Sequence, residues 1–253
     1  YCSRRQRQMC IRDRFLTHGI GAAEDAWRFI VPKLSKNFTV ITYDLRGHGK
    51  SPVTNKNFSL EDLVLDLERI RENLNIEKAH FAGHSLGGMI APAYAKKYPE
   101  KVLSVGMLST VAGRSEEDSK KVWSVINEME ENGIDKTLQK LTNRWFTDEF
   151  IKSYPDLVKR RLDQVIETDP EVFLNVFKIY AKTEMFPWLK DILQPCLLMT
   201  GENDGGCTPK HNENMAKQIK NSKLVILPKL KHSFLIEGPD QVADNLIEFI
   251  NTK

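Results

Sequence analysis

Short apolar runs alternate with longer segments of helical spacing along most of the chain. The apolar runs are rich in β-branched and aromatic residues, and they predict strands at residues 38–43, 78–82, 102–108, 195–200 and 223–227. Most of these runs are apolar at nearly every position, which is typical of strands that are buried on both faces of a sheet.

Segments with apolar residues three and four positions apart lie between the strands. They predict helices at residues 24–34, 59–73, 86–97, 209–220 and 239–250. Because strands and helices alternate, we predict an α/β fold with a doubly wound, mostly parallel sheet.

One stretch breaks this alternation. Residues 115–183 contain no credible strand, and their apolar spacing predicts helices at 119–131, 136–145, 155–167 and 170–181. We interpret this stretch as an inserted helical cap, which gives a cap at 111–185 and a sheet domain at 15–110 and 186–253.

The first fourteen residues differ from the rest of the chain. They show neither helical nor strand periodicity, they do not begin with Met, and they carry five arginines and one acidic residue, Asp13. We interpret residues 1–14 as a non-native or disordered tail, whose ending resembles translated adapter sequence. A flexible basic arm is the alternative.

Charge and composition exclude several classes of partner. The chain has 253 residues with 37 basic and 34 acidic side chains, of which 32 and 33 lie after residue 14. A nearly neutral body argues against nucleic acid or an acidic membrane as a partner, because both require concentrated positive charge. No apolar run approaches the roughly 18 residues that a membrane span needs, and only two cysteines lie in the body, so we expect a cytoplasmic location.

The first chemical motif is the Gly-x-Ser-x-Gly sequence at residues 83–87. It directly follows the predicted strand 78–82 and leads directly into the predicted helix 86–97. This is the setting of a nucleophile elbow, in which a tight turn exposes the serine hydroxyl at the end of a strand. Ser85 is therefore the candidate nucleophile.

A serine nucleophile needs a base and an acid that orients the base. Asp204 follows the predicted strand 195–200, and His232 follows the predicted strand 223–227. Because the carboxyl ends of parallel strands share one edge, these side chains are expected to meet Ser85 there. Glu202 is a competitor for the role of Asp204, and His84 is expected to line the elbow.

Backbone N–H groups must also stabilise the oxyanion that forms during attack. The glycine-rich sequence at residues 18–21 follows the apolar pair Phe15-Leu16, and the helix after the elbow begins near Leu86. The N–H groups of Ile20 and Leu86 are the candidates for this oxyanion hole.

Taken together, the motifs resemble the α/β-hydrolase superfamily over roughly residues 15–253. The matching motifs are His-Gly-Ile-Gly at 18–21, Asp-Leu-Arg-Gly-His-Gly-Lys-Ser at 44–51, Gly-His-Ser-Leu-Gly-Gly at 83–88, Gly-Glu-Asn-Asp at 201–204 and Lys-His-Ser at 231–233. The cap length and the Phe-Pro-Trp-Leu stretch at 186–189 most resemble 3-oxoadipate enol-lactonases and related small esterases.

Two features depart from the superfamily's pattern. Its sheet normally opens with an antiparallel hairpin that residues 1–14 cannot supply, so the chain looks N-terminally truncated. Pro92 lies about two turns into the helix after the elbow, where it is expected to kink or strain the helix.

These residues predict acyl transfer on a small-molecule ester or lactone through Ser85, His232 and Asp204, with no metal and no organic cofactor. Cap aromatics at Trp123, Trp145 and Trp188 are candidates for lining the substrate pocket together with His84. The alternatives are a carbon–carbon bond hydrolase or cofactor-free perhydrolase with the same triad, and a non-catalytic binding protein with this fold.

Overall fold

The computed structural model describes residues 13–252, and its centre is a single sheet of six strands. The strands are β1 (Asp13–Thr17), β2 (Thr39–Tyr43), β3 (Ala79–His84), β4 (Val102–Leu108), β5 (Cys196–Gly201) and β6 (Ser222–Leu227). They lie in the order β2-β1-β3-β4-β5-β6, and every neighbouring pair is parallel. The predicted fold class is therefore confirmed.

Eleven α-helices connect or flank these strands in the described part of the chain. They are α1 (Val31–Leu34), α2 (Leu60–Asn73), α3 (Gly87–Lys97), α4 (Glu116–Asn132), α5 (Ile134–Trp145), α6 (Asp148–Ser153), α7 (Pro155–Glu167), α8 (Pro170–Lys182), α9 (Pro209–Gln218), α10 (Phe234–Glu237) and α11 (Pro239–Asn251). Short 3₁₀ segments lie at Glu24–Trp27, Pro99–Lys101 and Phe186–Asp191.

Both faces of the sheet are covered by apolar side chains, which explains why the strand sequences are almost continuously apolar. Successive strand residues point to opposite faces. Phe15 and Phe81 belong to one cluster with side chains of α2, α3 and α9, whereas Leu16 and Ala82 belong to a second cluster with α1 and α11. The sheet is thus the middle layer of three.

Strand β1 begins two residues earlier than the boundary predicted at Phe15. Asp13 and Arg14 pair in register with β2, and the Arg14 side chain is 1% exposed. Its guanidinium donates to the Leu246 carbonyl at 3.2 Å and lies 4.3 Å from the centre of the Phe38 ring. The assignment of these two residues to a tail is therefore wrong, and the remainder of the predicted tail, residues 1–12, lies outside the described residues.

The predicted helix at 24–34 is also wrong as a single helix. The structure has a 3₁₀ segment at Glu24–Trp27 and then the short helix α1, with Pro32 in its first turn. Proline has no N–H to donate to the preceding turn, so it suits the first turn of a helix, whereas an interior proline costs a hydrogen bond. Helix α3 nevertheless runs continuously through Pro92.

Five consecutive helices, α4 to α8, lie between β4 and β5, where the sequence predicts a helical insertion. The structure adds α6, which the sequence analysis did not predict. Val172, Val176 and Ile179 of α8 belong to the same apolar cluster as one face of the sheet. Helix α8 therefore packs against the sheet domain.

Within residues 13–252, no helix has both the length and the apolarity that crossing a bilayer requires.

Candidate active site

Ser85 lies in a sharp turn between β3 and α3. Its φ of 57° lies in the left-handed region, which residues other than glycine adopt only at a cost in free energy. The turn is held by two hydrogen bonds, from the Ser85 N–H to the Leu108 carbonyl at 2.8 Å and from the Gly88 N–H to the Ser85 carbonyl at 2.9 Å. This strained backbone is the geometry expected of a nucleophile elbow.

The glycines around Ser85 are required by close backbone contacts. A Cβ atom at Gly83 would overlap the backbone of Gly87, and one at Gly87 would overlap the backbone of Thr17. A Cβ atom at Gly19 would lie 3.0 Å from the Ser85 Cβ atom. The elbow and the loop after β1 can therefore approach each other only because these positions lack side chains.

Asp204 and His232 are joined directly. Asp204 follows β5 and His232 follows β6, and the His232 Nδ1–H donates to the Asp204 Oδ2 atom at 2.7 Å. The same carboxylate oxygen accepts from the Ser109 hydroxyl at 2.8 Å, and the Oδ1 atom accepts from the N–H groups of Gly206 and Cys207 at 2.9 Å each. Every acceptor contact of the carboxylate thus fixes its orientation toward the imidazole.

The surroundings keep Asp204 ionised although it is only 3% exposed. Burial opposes ionisation, but the interaction with His232 and the two backbone N–H groups outweigh it and hold the pKa of the carboxyl well below its usual range. A buried, ionised carboxylate stabilises an imidazolium on His232, which is what a base needs from its orienting acid. Glu202, the competitor for this role, instead accepts from the backbone N–H of Lys229 at 2.8 Å on the exposed side of the loop.

His84 supports the loop that carries His232. Its Nε2–H donates to the His232 carbonyl at 2.8 Å, and its ring lies 4.9 Å from the His232 ring and edge-on to Phe234. Burial, assisted by the neighbouring His232, lowers the pKa of His84 to about 3. His84 is therefore neutral at physiological pH and acts as a hydrogen-bond donor to the backbone.

Ile20 and Leu86 both lie beside Ser85. Leu86 is the residue before α3, and Ile20 follows Gly19, which contacts the elbow. Across residues 13–252, neither backbone N–H donates to a protein acceptor. Two N–H groups next to a candidate nucleophile are thus left available for an oxygen atom of a substrate.

One cavity connects these residues with the cap. Ser85, Asp204 and His232 line it from the sheet domain, and Trp145 lines it from the end of α5. Its charged lining residues are Arg28, Arg114, Asp118, Lys121, Arg144, Arg161 and Asp204. Positive side chains outnumber negative ones around the cavity.

Trp123 is not brought to this cavity. It lies on α4 in a separate surface depression with Ser119 and Asn127, whereas Val122 and Val125 of the same helix line the cavity. Adjacent helical residues are rotated by about 100°, so the faces of Val122 and Trp123 differ. The structure thus gives no support to Trp123 as a pocket residue.

Trp188 is also placed elsewhere. It lies in the 3₁₀ segment Phe186–Asp191, packs against the apolar cluster of the sheet domain, and has the Lys96 ammonium 4.9 Å from its ring centre. Lys96 is in the last turn of α3, whereas Ser85 precedes the first turn. Of the four predicted pocket residues, His84 and Trp145 therefore line the cavity, and Trp123 and Trp188 do not.

The structure shows two contributors that the sequence analysis missed. Ser109 follows β4 and donates to Asp204, and Arg161 of α7 reaches the loop after β1. Ser109 could have been found from its position after a predicted strand, at the same edge as Asp204 and His232. No sequence pattern distinguishes Arg161 from its neighbours on the helix.

Asp204, Cys207 and His232 also offer a combination of metal-ligand atoms, which lie within 4.8 Å of one another. The Asp204 carboxylate is already fully engaged by hydrogen bonds, and burial raises the pKa of the Cys207 thiol well above its usual value. The His232 Nδ1–H donates to Asp204 at 2.7 Å, so these two residues are arranged as a hydrogen-bonded pair.

Comparison with known proteins agrees with this geometry. Residues 15–239 match the family described as alpha/beta hydrolase fold. The chain is 28% identical over 237 residues to 3-oxoadipate enol-lactonase 1 of Acinetobacter baylyi, covering 93% of this chain and 87% of that protein. It is 25% identical to (E)-2-((N-methylformamido)methylene)succinate hydrolase of the same organism, covering 94% and 89% of the two chains.

A solved structure shows the same architecture. The enol-lactonase from Burkholderia xenovorans LB400 superposes with a TM-score of 0.88 at 25% identity and covers 94% of this chain and 91% of that one. These three proteins are named as enol-lactonases or as a hydrolase, and the family match spans most of the sequence. The chain therefore belongs to the alpha/beta hydrolase fold family.

Proposed function

We propose that the protein is a serine hydrolase that cleaves a small carboxylic ester or lactone through an acyl-enzyme. One observation carries the proposal: the strained Ser85 turn and the hydrogen-bonded Asp204–His232 pair line one cavity. Left-handed backbone at a serine has a cost in free energy, and this cost is expected where a hydroxyl must be presented to a substrate.

The first half-reaction acylates Ser85. The unprotonated Nε2 atom of His232 takes the hydroxyl proton as the Ser85 Oγ atom attacks the carbonyl carbon, and Asp204 stabilises the imidazolium that forms. The N–H groups of Ile20 and Leu86 donate to the oxyanion. The tetrahedral intermediate collapses, the bond to the leaving oxygen breaks, and that oxygen takes the proton from His232.

The second half-reaction returns the enzyme to its starting state. His232 takes a proton from water, the resulting hydroxide attacks the acyl carbon, and the Ser85 Oγ atom leaves with the proton that His232 returns. With a lactone, the ring opens in the first step and the alcohol or enol stays attached to the acyl chain, so deacylation releases both in a single product. No metal or organic cofactor takes part in these steps.

The cavity charge narrows the substrate class. Five cationic side chains and two carboxylates line the cavity. Asp204 is paired with His232, and Arg28 and Lys121 are paired with Asp25 and Glu117. Among the described ion pairs, Arg114, Arg144 and Arg161 have no carboxylate partner. We infer that the substrate carries an anionic group besides the ester or lactone. One relative is named for the enol-lactone of 3-oxoadipate and another for a substituted succinate. Both names refer to substrates derived from dicarboxylic acids.

A fluorophosphonate probe tests the proposal. We expect the intact mass to rise by one phosphonyl group, because the Ser85 oxygen displaces fluoride from phosphorus, and we expect no adduct with Ser85→Ala. A hydrolysis assay on a panel of aryl esters and lactones follows on the same samples. A protein that melts cooperatively yet takes no adduct, or an adduct that persists in Ser85→Ala, would contradict the proposal.

A further inference from the structure

The loop after β1, which we call the oxyanion loop, is largely buried, and its backbone is held by side chains as well as by its own turn. The His18 ring accepts from the Leu45 N–H at 2.9 Å. The loop runs from His18 to Ala22 without regular secondary structure, and Gly21 has a φ of 57°. The Gly21 N–H donates to the His48 Nε2 atom at a long 3.2 Å. A loop that carries one donor of the oxyanion hole must be fixed within a fraction of an ångström, because a small misplacement of a donor lowers the reaction rate strongly.

Arg161 reaches this loop from the cap. Its Nη1–H donates to the Gly21 carbonyl at 2.6 Å, and its Nη2–H donates to the Ile20 carbonyl at 2.8 Å. The two carbonyls belong to successive peptide units, so the planar guanidinium fixes both units together. The peptide that carries the Ile20 N–H lies directly before them.

The guanidinium is itself held on its other side. Its carbon lies 5.0 Å from the centre of the Trp145 ring, and Trp145 ends α5. Burial lowers the pKa of Arg161 to about 10, so the side chain remains a cation at neutral pH. Hydrogen bonds from a cation in poorly solvated surroundings are stronger and shorter than those between neutral groups.

We infer that Arg161 is a positioning residue that holds the oxyanion loop from the cap. This inference rests on the proposed hydrolase function. It makes the cap a part of the catalytic apparatus, because the donor geometry at Ile20 depends on α7 and α5 as well as on the sheet domain. A cap that only shaped the substrate pocket would not have this effect.

The adjacent residue on the same helix supplies a matched control. Arg160 is 59% exposed at its side chain and pairs at 2.6 Å with Asp25, which lies in the 3₁₀ segment after the oxyanion loop. Arg160→Gln and Arg161→Gln remove the same charge from neighbouring positions of α7. Only the second removes hydrogen bonds to the oxyanion loop.

The experiment compares these two variants and Arg161→Lys in hydrolysis of the neutral ester 4-nitrophenyl acetate. We expect Arg161→Gln to lower kcat by about 10- to 100-fold, which is less than the roughly 10²- to 10³-fold cost of removing an oxyanion donor, because the Ile20 N–H is displaced and not lost. KM is expected to change by less than about threefold. Arg161→Lys, which keeps the charge but cannot donate to both carbonyls in a fork, is expected to lower kcat as well. Arg160→Gln is expected to keep both constants.

Two further readouts separate positioning from a structural role or a substrate contact. The rate of fluorophosphonate labelling is expected to fall with kcat in the Arg161 variants, because the phosphonyl oxygen occupies the oxyanion hole. Added methylguanidinium is expected to restore part of the kcat of Arg161→Ala. If Arg161→Gln does not melt cooperatively, the test rests on the kcat of Arg161→Lys and on the effect of methylguanidinium on Arg161→Ala.

The inference is overturned if wild-type kcat and labelling rate persist in the Arg161 variants, or if only KM rises. Labelling of wild-type Ser85 separates the two claims. If wild-type Ser85 does not react, the proposed function fails, whereas a reactive Ser85 with equal rates in wild-type and Arg161→Gln protein refutes only the role of Arg161.

Discussion

Replacing Asp204 by asparagine tests the orienting role of this carboxylate with little change in shape. The Oδ1 atom accepts two backbone N–H groups at 2.9 Å, and the Oδ2 atom faces His232 and the Ser109 hydroxyl at 2.7 and 2.8 Å. In Asp204→Asn, the amide oxygen keeps the two backbone donors. The amide NH₂ group then faces Ser109, which can accept, and His232.

This arrangement forces the wrong tautomer on His232. An NH₂ group opposite Nδ1 requires Nδ1 to accept a hydrogen bond, so the ring proton moves to Nε2, and Nε2 can no longer take a proton from Ser85. The corresponding change in a known Ser-His-Asp enzyme lowers kcat by about 10⁴-fold. That factor corresponds to about 5 kcal/mol in activation free energy.

The assay is hydrolysis of a 4-nitrophenyl ester at pH 7, with a thermal melt to verify that the variant is folded. Glu202→Gln is the matched control, because Glu202 lies in the same loop and its carboxylate accepts only from the Lys229 N–H among the described hydrogen bonds. We expect Glu202→Gln to retain activity within about threefold. A folded Asp204→Asn protein with activity within tenfold of wild type would refute the reasoning.

Three more predictions concern stability and specificity. Burial lowers the pKa of His18 to about 3 and that of His48 to about 4, so as the pH falls the unfolded chain binds protons on these residues before the folded protein does. Below the unfolded pKa of about 6.5, each histidine therefore lowers the free energy of unfolding by about 1 kcal/mol per pH unit. In urea unfolding at pH 7, 6 and 5, the decline in stability is expected to be shallower for His48→Gln than for wild type, and an unchanged slope would contradict this. Gly83→Ala is expected to lower the free energy of unfolding in urea by at least about 3 kcal/mol, because its Cβ atom would overlap the Gly87 backbone. The free energy of unfolding of Gly205→Ala is expected to stay close to that of wild type, because a Cβ atom there meets nothing within 4 Å, and equal urea midpoints for the two variants would contradict this. At low salt, the KM of a half-ester that keeps a free carboxylate is expected to be about tenfold below that of the matching neutral diester, with the difference shrinking as salt is added; equal KM values would argue against an anionic substrate.

The residues that follow strands could be predicted from the sequence because topology alone sets their location. Ser85, Asp204 and His232 each come after an apolar run, and parallel strands bring such positions to one edge. The elbow glycines add local evidence, since only a tight turn requires Gly83 and Gly87. The fold class follows from the same alternation of strands and helices.

The cap side chains could not be predicted in the same way. Which residues of α4 face the cavity depends on how the helix is rotated about its axis, and that is set by packing against other helices. For this reason the sequence predicts Trp123 as a pocket residue, whereas the structure places Val122 and Val125 of the same helix at the cavity. Arg161 escaped prediction because its partners are backbone carbonyls about 140 residues away in the sequence.

Detection of an acyl group on Ser85 tests the central claim most directly. The protein is mixed with excess 4-nitrophenyl acetate, quenched with acid within the first turnovers, digested and analysed by mass spectrometry. The account predicts a burst of about one nitrophenolate per protein and an acetyl group on Ser85, both absent from Ser85→Ala. Steady hydrolysis by wild-type protein with no acyl group on Ser85, or an acyl group on another residue that accounts for the burst, would contradict it.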